Sequence, residues 1–245
     1  MFASDGKRIL TASVDLTALW DGDGKLIASL GGHQGVVLSA VFAPDGKRIL
    51  TASDDNTARL WDGDGRPFAT LEGHRGAVVS AVFAPDGKRI LTASGDRTAR
   101  LWDGDGKPLA SLEGHQGTVR SAVFAPDGKR LLTASGDRTA RLWDSDGRPL
   151  ATLEGHRGAV VSAVFAPDGK SILTASDDNT ARLWRAYPDP QELVIVAKER
   201  ATRCLTPKQR EDLFLPPDPP AWCTVMGKWP YDAATLAAAG AKAPR

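Results

Sequence analysis

Histidine, threonine and aspartate recur along this chain in sets that could support hydrolysis. The four histidines share a constant interval of 41 residues: His33, His74, His115 and His156. In the set His74, Thr92 and Asp96, a hydroxyl, an imidazole and a carboxylate would form a hydrolase triad. Because catalysis needs one cleft with a nucleophile and an oxyanion site, four equivalent sets favour a structural role. We therefore expect that the chain is not an enzyme.

The structural alternative is a buried hydrogen-bond chain in each repeat. In such a hydrogen-bond chain the indole N–H of Trp102 would donate to the Thr92 hydroxyl, Thr92 would bond to His74, and His74 would bond to Asp96. Such a chain would satisfy polar groups beneath the loops and fix the tautomer of the histidine.

Two other motifs resemble ligand sites but fail on spacing. Asp62–Gly65 begins like a calcium loop, yet Arg66 and Gly73 stand where the loop needs oxygen ligands. Gly169–Ser171 resembles the end of a phosphate-binding loop, but Val164 replaces the first glycine of that motif. Because every histidine also belongs to a repeat, we expect no metal and no cofactor.

The elements that must position these residues follow the same period. Five tryptophans keep the 41-residue interval, which indicates a repeat architecture: Trp20, Trp61, Trp102, Trp143 and Trp184. Between His33 and Arg75, turn residues separate four β-branched and aromatic runs, which predicts an antiparallel meander. The predicted strands are Val37–Phe42, Arg48–Ser53, Thr57–Trp61 and Pro67–Leu71.

Three motifs recur in near-identical copies over residues 2–184: Gly-His, Pro-Asp-Gly and Asp-x-Thr-x-x-x-Trp-Asp. On these motifs the chain resembles the WD-repeat β-propeller family. The resemblance implies an all-β fold, namely a partial WD-repeat β-propeller of about four to five four-stranded antiparallel blades with a short α-helical C-terminal tail. It also implies four structural tetrads: His33, Thr51, Asp55 and Trp61; His74, Thr92, Asp96 and Trp102; His115, Thr133, Asp137 and Trp143; and His156, Thr174, Asp178 and Trp184.

The family resemblance further implies a non-catalytic scaffold for protein–protein interaction. In that family the loop after Gly-His and the turn that carries the tetrad aspartate share one face of the disc, the top face. The copies differ most at these loops, where arginine and aspartate are mixed. We expect a protein or peptide partner there, and the candidate residues are Arg97, Arg120, Arg138, Asp54 and Asp177.

Composition argues against other partners and gives an expectation for the compartment. The net charge of +1 provides no steering field for nucleic acid, and no apolar run reaches about 18 residues, so we expect no nucleic acid and no membrane. The third-strand arginines are expected on a solvated or salt-bridged face: Arg59, Arg100, Arg141 and Arg182. Cys204 and Cys223, in a chain without a recognisable signal peptide, favour thiols in a reducing cytoplasm over a disulfide.

The repeat pattern breaks at both ends. Thr11 and Thr51 are 40 residues apart, whereas Trp20 and Trp61 are 41 apart, so the first unit lacks a residue. We assign this loss to the third strand, where it predicts a local distortion to bring Trp20 into place and a weakly held N-terminal edge. About 18 strands are expected, against about 28 in a seven-bladed ring. The chain is therefore expected to be an open arc, to self-associate through its open propeller edges, or to be part of a longer protein.

Two domains are expected, residues 1–185 as blades and residues 186–245 as a tail. The tail is predicted to hold a helix that starts at Asp189 and a second helix from Thr206 to Phe214. It is expected to cap the edge of the last blade, or alternatively to bind a partner. The tail also resembles those of bacterial WD-repeat proteins. This gives a second hypothesis, a sensor segment of a larger bacterial signal-transduction NTPase or protease-like protein, which an upstream in-frame phosphate-binding loop would support.

Overall fold

The computed structural model describes residues 1–13, 17–186, 201, 203–212, 220–226 and 228. Its chain divides into two compact units, Met1–Ala186 and Tyr187–Arg245. The first unit is built of strands only. In chain order they are β1 Arg8–Ala12, β2 Thr17–Asp21, β3 Leu26–Ser29, β4 Val37–Phe42, β5 Arg48–Ser53, β6 Ala58–Asp62, β7 Pro67–Leu71, β8 Val78–Phe83, β9 Arg89–Ser94, β10 Ala99–Asp103, β11 Pro108–Leu112, β12 Val119–Phe124, β13 Arg130–Ser135, β14 Ala140–Asp144, β15 Pro149–Leu153, β16 Val160–Phe165, β17 Ser171–Ser176 and β18 Ala181–Arg185.

The strands form five antiparallel sheets, which we number as blades 1 to 5. Blade 1 contains β1–β3, blades 2, 3 and 4 contain β4–β7, β8–β11 and β12–β15, and blade 5 contains β16–β18. Within each blade, consecutive strands are neighbours in the sheet, so every blade is a simple meander. The predicted all-β fold of WD-repeat blades in a partial propeller is therefore confirmed.

Each meander turns where the sequence supplies turn residues. Between β4 and β5, the N–H of Gly46 donates to the Ala43 carbonyl at 2.9 Å, and Gly46 has a φ of 68°. Pro44 presets the backbone of this turn and glycine adopts the left-handed conformation without steric cost. The same turn recurs at each copy of the Pro-Asp-Gly motif, which keeps the strands of the full blades in equivalent register.

The hydrophobic core lies between blades. Leu50 and Leu60 of blade 2 pack against Val78, Ile90 and Trp102 of blade 3, and these side chains are at most 1% exposed. The first strands β4, β8, β12 and β16 also contact one another in succession. A single sheet could bury only one face, so each blade depends on its neighbours, as in other repeat arrays.

Blade 1 corrects one expectation from the sequence. Ile9 pairs with Trp20, as Ile49 pairs with Trp61, and the β1–β2 ladder has no register shift. The predicted distortion of the third strand is therefore wrong. The missing residue falls between Ala12 and Thr17, the last pair of the ladder, and residues 14–16 lie outside the described part of the chain. A turn can lose a residue without turning the buried side chains of a strand to the other face.

The start of the chain supplies a remnant of a first strand for blade 1. Phe2 forms an isolated antiparallel bridge with Ile9, as Phe42 does with Ile49 in the ladder of blade 2. The Met1 ammonium donates to the Leu10 carbonyl at 2.8 Å, and the Leu10 N–H donates to the Met1 carbonyl at 2.8 Å. Blade 1 thus begins in the expected register, although its first strand is reduced to one bridge.

The blades form an open array rather than a closed ring, and blades 1 and 5 are its ends. The open end is visible in the exposure of equivalent leucines. Leu101 of blade 3 is 2% exposed, whereas Leu183, two repeats later in blade 5, is 75% exposed.

The second unit contains two short helices among its described residues, α1 Pro207–Asp212 and α2 Ala221–Val225. Thr206 caps α1: its hydroxyl accepts the Gln209 N–H at 3.2 Å, and its own N–H donates to Oε1 of Gln209 at 3.0 Å. The helix predicted to open at Thr206 is present. Its predicted end at Phe214 and the helix predicted from Asp189 lie outside the described residues.

Cys204 and Cys223 form a disulfide, which corrects the expectation of two free thiols. Their Cα atoms are 6.2 Å apart, within the range that a disulfide spans, and both side chains are buried next to Trp222. Sequence separation alone could not show that the chain returns to place these two cysteines together.

Candidate functional site

The histidine, threonine, aspartate and tryptophan of each repeat meet in one hydrogen-bond chain. In blade 4, Nε1 of Trp143 donates to Oγ1 of Thr133 at 2.9 Å, Thr133 lies 2.8 Å from Nε2 of His115, and Nδ1 of His115 lies 2.7 Å from Oδ2 of Asp137. The equivalent distances in the other three sets are 2.8 to 3.0 Å. The structure thus brings together every residue of the four tetrads.

The chemistry of the groups fixes the direction of this chain. An indole N–H can only donate, so the Thr133 hydroxyl accepts from Trp143 and donates its own proton to Nε2 of His115. His115 is then neutral and donates from Nδ1 to the Asp137 carboxylate. Every donor and acceptor is used, and Thr133 and Trp143 are at most 1% exposed.

Electrostatics support the neutral histidine and the ionised aspartate. Burial is the largest influence on His115 and lowers its pKa, although the Asp137 carboxylate acts against it. Burial alone would raise the pKa of Asp137, but hydrogen bonds from the Gln116 N–H, the Thr139 hydroxyl and His115 outweigh it and lower that pKa to about 2. The same balance lowers the pKa values of His33, His74, Asp55 and Asp96.

This arrangement holds loops together. Thr133, whose hydroxyl would be the nucleophile of a triad, is 0% exposed and lies beneath the loops. The Asp137 carboxylate accepts the Gln116 N–H at 2.9 Å and the Thr139 hydroxyl at 2.7 Å. The tetrad therefore ties the loop after the histidine to the turn between the second and third strands. These two loops of blades 2 to 5 form the top face.

Among the described residues, blade 1 shows one bond of this system. Nε1 of Trp20 donates to Oγ1 of Thr11 at 2.8 Å, and the position of the histidine precedes the chain start. Thr11 is exposed, whereas Thr51, Thr92, Thr133 and Thr174 are fully buried. The first blade is thus a natural comparison for the buried tetrads.

Arg97 and Arg138 stand on the top face, directly after the tetrad aspartates of blades 3 and 4. Both are exposed, and both adopt a left-handed backbone with φ values of 73° and 72°. Asn56 and Asn179 hold the same place in blades 2 and 5, with φ values of 70° and 63°. Asparagine tolerates this conformation well, whereas arginine does not, so both arginines occupy a backbone that costs folding free energy.

The other candidate residues of the top face lie at its acidic flanks. Arg120 of blade 4 forms an ion pair with Asp177 of blade 5 at 3.2 Å, and both side chains are about half exposed. Asp54 of blade 2 is exposed. Glycines replace the aspartate of this position in blades 3 and 4, at Gly95 and Gly136. No ion pair among the described residues involves Arg97 or Arg138, so their charges remain available in the centre of the face.

A second repeated arginine was missed by the sequence analysis and joins each blade to the next. Arg89 of blade 3 donates from Nη2 to the Gly128 carbonyl at 2.7 Å and from Nη1 to the Ser145 carbonyl at 3.3 Å, both in blade 4. Its guanidinium also lies 5.5 Å from the centre of the Phe124 ring. Arg8, Arg48 and Arg130 reach forward in the same way. We call these four residues the forward arginines.

The signal for the forward arginines was present in the sequence. A Lys-Arg pair follows each Pro-Asp-Gly turn, except in blade 5, where Ser171 replaces the arginine.

Arg130 shows the effect of the incomplete last blade. Its Nη2 bonds to the Gly169 carbonyl at 2.8 Å, but its buried Nη1 has no hydrogen-bond acceptor among the described residues.

Three of the four third-strand arginines correct another expectation, whereas Arg182 in blade 5 is exposed, as expected. Arg59, Arg100 and Arg141 are half-buried rather than on a solvated face, and no ion pair of the described residues includes them. Each guanidinium lies against the glycine of a Gly-His motif, as Arg141 lies against Gly114. These glycines have φ values near 130° and leave no room for a Cβ atom, which explains why glycine precedes each histidine.

Within the described residues no group of His, Cys, Asp and Glu could hold a metal ion, and no described helix is long and apolar enough to cross a membrane. The comparison finds no match among curated proteins. The family profile "WD domain, G-beta repeat" matches residues 24–62, 65–103, 106–144 and 147–185, more than half of the chain. With its five meander blades and four tetrads, the chain belongs to the WD-repeat family.

Proposed function

We propose that the chain is a non-catalytic interaction scaffold whose top face binds a protein or peptide segment that carries carboxylates. WD repeats generally mediate protein–protein interaction. The absence of catalysis in this proposal rests on the tetrads. The threonine at Nε2 of each histidine is fully buried and donates its proton to the ring, and the second hydroxyl near the ring, that of Thr139 in blade 4, donates to the Asp137 carboxylate.

The observation that carries the proposal is the pair Arg97 and Arg138. Both side chains are exposed cations on loops that the tetrads hold in place, and both keep an unfavourable backbone conformation that asparagine accepts elsewhere in the chain. Strain that persists at an exposed position is a feature of ligand-binding sites. A guanidinium forms paired hydrogen bonds with a carboxylate, which gives the chemistry of the partner.

The charges around Arg97 and Arg138 favour binding of an acidic segment at the centre of the top face, in blades 3 and 4, over binding at its flanks. Arg75 is exposed on the loop after the histidine of blade 3, next to the turn that carries Arg97. Arg120 adds a further cation in blade 4, although Asp177 partly neutralises it. Glycine in place of aspartate at positions 95 and 136 removes negative charge from the same region. An acidic segment laid across blades 3 and 4 would therefore meet positive potential.

A displayed library of random peptides, selected on the intact chain, tests this proposal. We expect the recovered peptides to be enriched in Asp and Glu. The double variant Arg97→Asn and Arg138→Asn should weaken their binding about tenfold or more, because each charged hydrogen-bond pair contributes about 1.5–3 kcal/mol when solvent is displaced. Asparagine is the residue that blades 2 and 5 carry at this place, so the backbone is preserved.

The control is the double variant Arg66→Ala and Arg148→Ala, which removes two arginines that are 76% exposed on the turns after the third strands. This variant removes the same charge from the opposite edge of the blades and should leave peptide binding unchanged. Equal loss of binding in both double variants would show only a net-charge effect. Peptides that bind the Arg97 and Arg138 variant as well as the parent chain would refute the proposed face.

Several finer expectations remain proposals. They include the sensor role within a larger bacterial signalling protein, the capping of the last blade by the tail, and self-association through the open ends.

The disulfide of Cys204 and Cys223 weakens the argument for a cytoplasmic location, because disulfides persist mainly in oxidising compartments. Alkylation of thiols at the moment of cell lysis tests it: a cytoplasmic chain should label at both cysteines.

A further inference from the structure

The array ends at blade 5 on an apolar face that no other blade covers among the described residues. Leu173 is 46% exposed and Leu183 is 75% exposed. The residues two repeats earlier, Leu91 and Leu101, are 0% and 2% exposed because blade 4 covers them. Large exposed apolar side chains grouped on one sheet face indicate an interaction surface. We call this surface the tail face.

The opposite end of the array carries the other half of the same kind of interface. On blade 1, Phe2 is 67% exposed, and Ile9 and Trp20 are half-buried. The equivalent residues of blade 2, Phe42 and Ile49, are 6% and 0% exposed because they pack on blade 1. We call the surface of Phe2, Ile9 and Trp20 the head face.

The chain itself shows how these two faces fit each other. At each internal junction, the leucines of one blade pack against an aliphatic residue and the tryptophan of the next, as Leu50 and Leu60 pack against Ile90 and Trp102. The aliphatic residue is isoleucine except in blade 4, where it is Leu131. This junction occurs four times with near-identical residues. The tail face supplies the leucine side of a fifth junction, and the head face supplies its isoleucine and tryptophan side.

We propose that two copies of this chain associate head to tail, with the tail face of one copy packed on the head face of the other. This deepens the self-association proposed above and does not depend on a ligand at the top face. The contact is heterologous, since two different surfaces meet, so it can extend to further copies or close into a ring.

The forward arginines set the strength of this junction. Each internal junction has an arginine that donates to two carbonyls of the next blade and covers a phenylalanine ring. At the junction between copies, the acceptor side is present: Gly6 and Gly22 occupy the places of Gly46 and Gly63, and Phe2 that of Phe42. The donor is missing because Ser171 replaces the arginine. The junction between copies should therefore be weaker than the internal ones and reversible.

Sedimentation velocity of the full chain from micromolar to submillimolar concentration tests the proposal. The parent chain should increase in mass with concentration. Ser171→Arg should restore the missing donor and lower the concentration of half-association about tenfold or more. Leu183→Asp should raise that concentration by a similar factor. Leu109→Asp is the matched control, because Leu109 is 54% exposed on the fourth strand of blade 3, outside both faces, and should change nothing.

A mixing experiment distinguishes the head-to-tail contact from any symmetric one. Leu183→Asp blocks the tail face, and Phe2→Asp blocks the head face, so each variant alone should remain a monomer. Mixed in equal amounts, the two variants should form a dimer, because one intact head face and one intact tail face remain. A symmetric contact between two tail faces or two head faces would not be restored by mixing.

Three results would overturn the inference. The first is a monomer at every concentration for both the parent chain and Ser171→Arg, which would also exclude the self-association proposed above. The second is association that Leu183→Asp and Phe2→Asp leave unchanged, which would place the contact elsewhere. The third is a monomer that loses stability on Leu183→Asp, which would show that the chain's own C-terminal residues cover the tail face.

Discussion

Replacement of Thr133 by valine removes the central hydroxyl of the blade 4 tetrad and leaves its shape almost unchanged. The Thr133 hydroxyl accepts the Trp143 N–H at 2.9 Å and donates to Nε2 of His115 at 2.8 Å. After the change, both partners stay buried without a hydrogen bond. Because each unsatisfied buried polar group costs about 1–3 kcal/mol, we expect Thr133→Val to lower the free energy of unfolding by about 2–5 kcal/mol.

The chain offers a matched control for this experiment. Thr11 accepts the Trp20 N–H at 2.8 Å, but it is exposed and has no histidine partner. Water can replace the lost hydroxyl there, so Thr11→Val should cost less than about 1 kcal/mol. The two substitutions are chemically identical, and the difference between them isolates the contribution of the buried tetrad.

Denaturant unfolding followed by circular dichroism gives the global loss for both variants. Repeat arrays can depart from two-state unfolding, so hydrogen exchange of peptides from β13 and β14 should measure the local loss in blade 4. The reasoning is refuted if Thr133→Val and Thr11→Val differ by less than about 1 kcal/mol in both measurements. That result would mean that the tetrad hydrogen bonds add little to the stability of a blade.

Four further predictions concern the tetrad histidines, a forward arginine, the glycine of a Gly-His motif and Arg97. The pKa values of His33, His74 and His115 are lowered on folding from 6.5, so the unfolded chain binds more protons below that pH; the melting temperature should fall as pH drops from 7 to 5, and His115→Asn should flatten this dependence. Arg89→Met leaves the Gly128 and Ser145 carbonyls without their donor and should cost about 2–4 kcal/mol in denaturant unfolding, against less than about 0.5 kcal/mol for the exposed Arg66→Met. Gly114→Ala would place a Cβ atom against Arg141 at a φ of 129° and should cost more than about 1 kcal/mol by the same measurement, whereas an equally stable variant would contradict the account of the Gly-His glycine. Arg97→Asn should raise the melting temperature slightly while it weakens peptide binding, since asparagine relieves the left-handed strain; a lower melting temperature would show that the arginine is held by contacts of its own.

The repeat made most of the fold predictable from sequence. The copies repeat the turn residues, so the four strands of a unit could be placed from Pro44, Gly46 and the residues around Asp55, and their bounds agree closely with β4–β7. The composition of the tetrads was also readable, because histidine, threonine, aspartate and tryptophan recur together. Repetition therefore makes the strands, turns and tetrad residues within one unit predictable, because each copy repeats the same local pattern.

The features that sequence reasoning missed depend on contacts across long separations. The forward arginines recur in the sequence, but their acceptors are backbone carbonyls of the next blade, and no residue type identifies such an acceptor. The disulfide of Cys204 and Cys223 depends on the path of the chain between them. The missing residue of blade 1 was assigned to a strand because an alignment of letters cannot tell a shortened turn from a shortened strand, whereas the ladder of Ile9 and Trp20 does.

The forward reach of the arginines has a consequence for synthesis of the chain on the ribosome. Arg89 and the Gly128 carbonyl to which it donates are separated by 39 residues, so the partner of each arginine is made after the blade that needs it. At about 5–20 residues per second, that separation takes roughly 2–8 s to translate. During this time the leucines that pack on the next blade are exposed in every new blade. They lie beside nascent chains that carry the complementary isoleucine and tryptophan side of the junction. Faster elongation through residues 90–128 would shorten this exposure, and ribosomes that pause there would favour aggregation between neighbouring chains.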